Sequence, residues 1–240
     1  MRKSRSLYIG SVPAAMLAAA VFVACDEGNI YPDGKVIAGS GMSVTVKGSF
    51  SGCGGYEDSD FGIVVAAFRD GDDYAVVSRP VADGSDEIVL KNVDPAVSTV
   101  EICVINRLRE RVFSIASMAV GAAAGADLTF EAGELDVAPF AVINRGVFSA
   151  TCTQCHGATG AAAASLDLTP ESAYADLVAV PSSVVEGCMR VEPGDAAAST
   201  LWQAVASDVS ESWRFDHSNL LTSVKNDFIR EWINSGADDK

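Results

Sequence analysis

Cys152, Thr153, Gln154, Cys155 and His156 read C-x-x-C-H, and no other feature constrains the chain as strongly. Two thiols separated by two residues can add to the two vinyl groups of one porphyrin, and the adjacent imidazole then falls beside the iron. Gly157 extends the pattern to C-x-x-C-H-G. With 6 Cys and 2 His in 240 residues, a chance match is expected about once in a thousand such chains. The pattern therefore points to one covalently attached haem c, held by Cys152 and Cys155 with His156 on the iron. A zinc half-site, a redox dithiol and a structural disulfide compete with that reading. Zinc wants about four N or S ligands, and only Cys188 and His217 lie nearby in sequence. A thioredoxin-like motif would sit in a βαβ setting, which the flanking residues do not suggest.

Histidine scarcity narrows the second axial ligand. The two histidines are His156 and His217. His217, in the polar segment from Arg214 to Ser218, is preferred for the distal side, and a surface histidine beside Asp216 is its ordinary alternative. Met189 is the local thioether rival, and a thioether would raise the reduction potential.

After CTQCHG come LDLTPESAYADLV, RVEPGDAAASTLW and IREWINSGA in order. From Phe148 onward the chain resembles the small single-haem cytochrome c domains of bacterial envelope proteins. The resemblance implies short helices around one haem, the last packing on the motif helix. Many members carry Met-Pro-Pro before the final helix, where this chain has WRFDHS. Placing His217 on the iron is thus an inference from position, and bis-His coordination implies a lower potential than His/Met. The residues themselves read as helices too: Thr169 with Pro170 and Glu171 forms a start signal. Val224, Phe228, Ile229, Trp232 and Ile233 recur at helical spacing between Ser223 and Gly236.

Residues 1–24 combine a basic start with an apolar run and read as an export signal. FVAC resembles a bacterial lipobox, which would make Cys25 the lipidated first residue of the mature chain. Residues 25–41 then form a tether. Localisation follows as a lipid-anchored protein of the bacterial cell envelope, facing the periplasm or the cell surface. The formal net charge is −15, and loss of Arg2, Lys3 and Arg5 with the signal would make the balance more acidic still. Such a surface argues against nucleic acid as a partner; it suits a positively charged redox protein, but keeping an exported protein soluble is the preferred reading.

Residues 42–139 change to short β-rich runs at 43–50, where Val44 and Val46 alternate onto one side, and at 61–68, 74–79, 100–106 and 112–118, separated by Asp- and Gly-rich turns. These predict an antiparallel, immunoglobulin-like sandwich. Cys53 and Cys103 fall within it and are candidates for a disulfide, leaving Cys188 as an odd thiol. The fold expected is multidomain: an N-terminal all-β sandwich followed by an all-α cytochrome c domain at 140–240. The activity expected is one-electron transfer by a membrane-anchored c-type cytochrome. A haem-based peroxidase or gas sensor is the alternative if the sixth position is open. A third reading is a surface lipoprotein that binds carbohydrate or protein through the sandwich, with an accessory haem.

Overall fold

The computed structural model describes residues 41–121, 127–157, 163–207 and 215–240. Cys25, the export signal and the tether through residue 40 lie outside them. Residues 40–240 cluster as one compact unit.

Among the described residues, seven strands form two sheets. Strands β1 (Met42–Ser51), β4 (Glu87–Val93) and β7 (Leu128–Asp136) make a three-stranded sheet in the order β4-β1-β7. Strands β2 (Phe61–Arg69), β3 (Val77–Pro80), β5 (Val97–Asn106) and β6 (Arg111–Ala119) make the other, in the order β3-β2-β5-β6. Period-2 alternation explains the first sheet: Met42, Val44 and Val46 point inward from β1. The run FGIVVAAF in β2 does not alternate because both of its faces are covered. Ile63, Val65 and Ala67 join the sandwich interior, whereas Val64, Ala66 and Phe68 form a second cluster with Ala75, Cys103 and Ile105 on the outer face. That outer face is closed by the segment after β2, tied down through Ala75 N–H to Arg109 O and Arg111 N–H to Asp73 O. Arg111 lies 4.8 Å over the Phe68 ring and pairs with buried Glu101 at 2.7 Å.

The strand pairing departs from the expected immunoglobulin-like order. β1 runs parallel to β7 while pairing antiparallel with β4. An immunoglobulin constant domain would instead group its first, second, fourth and fifth strands in one sheet. Alternation says which face is buried; it carries no information about a strand's neighbour.

The all-α cytochrome domain expected after residue 139 is not there. The protein is mostly β-sheet with four short α-helices among the described residues. These are α1 (Pro139–Ile143), which runs into a π-turn at Asn144–Phe148, α2 (Ala173–Leu177), α3 (Thr200–Ala206) and α4 (Ser223–Asn234). Between them the chain uses turns and isolated bridges, such as Val178 with Val191 and Met189 with Ser199. Pro170, Pro181, Pro193, Gly187 and Gly194 interrupt it too often for long helices. The helix start read at Thr169 shifts to Ala173, because the Thr169 hydroxyl donates to Asp167 at 2.8 Å instead of capping.

The apolar faces of these helices are buried against the sandwich as well as one another. Phe228 of α4 meets Phe61 of β2 edge-on at 5.1 Å, Phe113 of β6 at 5.6 Å and Tyr56 at 6.2 Å. Trp232 packs on Phe140 of α1 at 5.4 Å, and Phe140 in turn on Tyr174 at 5.1 Å. Glu231 accepts hydrogen bonds from the Ser59 hydroxyl and the Asp60 amide. One continuous core thus runs from Val44 to Ile233. Gly146 permits part of this contact, since a Cβ there would lie 2.6 Å from the Phe113 ring.

Candidate functional site

The C-x-x-C-H pentapeptide follows the α1 and π-turn helix directly. Cys152–Gln154 form a single 3-10 turn, with Cys155 and His156 amides both donating to Cys152 O, at 3.1 and 2.9 Å. This brings the two thiols and the imidazole onto one tight turn. Gly157 closes it: a Cβ there would stand 2.6 Å from Thr153 O, so the position excludes any side chain unless the turn opens. Cys152 is half-buried against the core and Cys155 is exposed. Burial, with a smaller contribution from Cys155, pushes the Cys152 thiol up to about 11. Both thiols are free.

His156 is held from two directions by the segment that follows the motif. Its Nδ1 lies 2.9 Å from Ala163 O, and its carbonyl accepts from the Leu168 amide at 2.7 Å. Hydrogen bonding of Nδ1–H to a carbonyl leaves Nε2 with its lone pair, the state a metal ligand needs. Burial lowers the His156 pKa, and the charges of His217 and Arg190 push the same way against the Ala163 carbonyl. These effects shift the balance toward the neutral imidazole.

His217 comes to the same place from a distant part of the chain. The two imidazole centres are 6.3 Å apart with planes inclined at 33°. Phe215 packs edge-on against His217 at 5.0 Å. Asp216 shapes this stretch by accepting from the Ser218 amide at 2.8 Å and the Asn219 side chain at 3.0 Å. Met189, the rival ligand, is half-buried, with its carbonyl accepting from the Thr200 amide at 3.0 Å. The ring contact with His156 belongs to His217.

Cys53 and Cys103 are not joined. Cys103 points to the outer face of β5 with Phe68 and Ile105, whereas Cys53 packs against the inner core beside Asp83. Both thiols are free, and burial pushes each up, Cys53 to about 12. Sharing a domain does not put two side chains on the same side of a sheet. Cys188 is a half-buried free thiol.

Sequence reasoning missed the residues that orient His156. Ala163 acts through its carbonyl, so its side chain carries no signal. Arg190 lies 34 residues after His156 and reaches back to the same segment. Among the described residues no three His, Cys, Asp or Glu side chains converge as a metal cluster, and no helix is long and apolar enough to cross a membrane. The donor set present, two free thiols flanking a turn with an oriented imidazole and a second imidazole beside it, fits a covalent haem.

No family model, curated protein or solved structure matches the chain.

Proposed function

We propose that the protein is a c-type cytochrome that carries single electrons at the bacterial cell envelope, tethered by lipid on Cys25. The observation that carries this reading is the 6.3 Å between the His156 and His217 ring centres, beside the free thiols of Cys152 and Cys155. An imidazole bound through nitrogen at about 2.0 Å has its centre about 3 Å from the metal, so two imidazoles that share one metal ion have centres up to about 6 Å apart. Cys152 and Cys155 would hold the haem through thioethers, and His156 and His217 would ligate its iron. Bound haem supplies a reversible one-electron couple. Ala163 O holds the His156 Nδ1 proton and fixes its tautomer, while Phe215 shields one edge of His217. Two protein ligands leave no position for substrate, which favours electron transfer over peroxidase or gas-sensing chemistry. The acidic surface suits a positively charged redox partner.

The test is a pyridine haemochrome spectrum of protein made in a host that matures c-type haem. A covalent c-type signature that disappears in Cys152→Ala/Cys155→Ala is expected, and its absence from the parent protein refutes the proposal. His217→Ala should convert a low-spin spectrum to high-spin and open the ferrous protein to carbon monoxide. An unchanged spectrum removes His217 from the iron.

A further inference from the structure

Ala164 and Ser165 are consecutive non-glycine residues with φ of 57° and 52°. Each such left-handed residue costs on the order of 1 kcal/mol and persists only where its surroundings enforce it. This pair immediately follows the carbonyl that meets His156 Nδ1, so its conformation determines where that carbonyl points.

What enforces it is Arg190. One arm of its guanidinium, Nη2, donates to Ser165 O at 3.0 Å and to Ala164 O at 3.4 Å. The other, Nη1, donates to Asp176 O at 2.8 Å and lies 3.7 Å from the Asp176 carboxylate. The Arg190 side chain is 13 % exposed, so these contacts form largely away from water. The Ser183 hydroxyl adds a bond to Ala164 O at 3.0 Å, and Asp176 accepts from the Asp167 amide at 2.8 Å. A guanidinium suits this task because its planar fork presents several fixed donors, whereas an ammonium is a single point.

Resting on the cytochrome reading, we infer that Arg190 is a positioning residue: it clamps the left-handed pair Ala164–Ser165 so that Ala163 O stays on His156 Nδ1, and thereby sets the iron's reduction potential. A carbonyl on Nδ1–H makes the imidazole a stronger donor, which stabilises the oxidised iron. Losing that contact raises the potential.

Arg190→Lys keeps the charge and removes the fork, and the glycine pair Ala164→Gly/Ser165→Gly adopts left-handed backbone without help. The measurement is spectroelectrochemical titration of the full haem-loaded chain. Arg190→Lys should shift the potential positive, and adding the glycine pair should return it toward the parent value. Ser165→Val, with Arg190 intact, disfavours the left-handed backbone and should shift the potential the same way, which keeps the test decisive if Arg190→Lys does not mature. An unshifted potential in Arg190→Lys or in Ser165→Val overturns the inference, as does a shift that the glycines fail to reverse. The parent haemochrome spectrum separates the two levels: without covalent haem the cytochrome reading fails, and with it only the clamp is at issue.

Discussion

Replacing Phe228 with Ala tests whether the sandwich and the segment after residue 139 fold as one body. Phe228 is 3 % exposed, and its ring touches Phe61, Phe113 and Tyr56 across the boundary between them. Truncating a buried Phe costs about 4 kcal/mol through lost transfer energy and the cavity left behind. Each aromatic contact adds about 1 kcal/mol beyond area, so a value near the upper end of the Phe→Ala range is expected. The loss must appear equally on both sides of the contact. All three tryptophans, Trp202, Trp213 and Trp232, lie in the C-terminal segment, while most of the regular structure that dominates far-UV circular dichroism is strand. Urea unfolding followed by both signals should therefore give coincident curves, displaced together by about 5 kcal/mol in the variant. A fluorescence transition that moves while the dichroism transition stays would refute the single-body reasoning. So would a loss below about 1 kcal/mol, because a ring with three partners cannot be removed from a shared core so cheaply.

Gly157→Ala forces a Cβ to 2.6 Å from Thr153 O; it should cost about 2 kcal/mol in urea melts and lower the yield of covalent haem, read from the haemochrome band. Arg111→Met strands Glu101, whose side chain is 5 % exposed, without its 2.7 Å partner. That should cost about 3 kcal/mol by urea unfolding, and Arg111→Met/Glu101→Leu should recover most of it. Amide and hydroxyl donation from Thr169 holds the Asp167 pKa below the usual carboxylate value. Its stabilising contribution is thus complete above the unfolded pKa of about 4 and is lost as pH falls through the lower folded value. The urea midpoint should fall less steeply below pH 4 in Asp167→Asn than in the parent protein; parallel curves would contradict the assignment.

The candidate motif was legible in the sequence because C-x-x-C-H is contiguous, whereas the 3-10 turn it adopts and the Cβ clash that Gly157 avoids are seen only in the fold. The inward faces of the strands were legible for the same reason: alternation at Val44 and Val46, and an unbroken apolar run in β2, each reflect local burial. The burial of Phe228, Ile229, Trp232 and Ile233 on one face of α4 follows from helical spacing.

What tertiary structure alone decided is what those faces meet. Period 3.6 states that α4 has an apolar side; it cannot state that the side closes on Phe61 and Phe113 of a sheet, so the spacing alone implies an independent helical domain. The thiols of Cys53 and Cys103 are separated by the sheet itself, a fact set by the parity of β5 and the course of the chain after β1. The contact between His156 and His217 spans 61 residues of sequence, and Arg190 reaches the backbone of Ala164 and Ser165 through carbonyls that every residue carries. Side-chain identity encodes what a residue can do locally; which distant group it does it to depends on the closure of long loops, which is driven by the summed burial of the whole core.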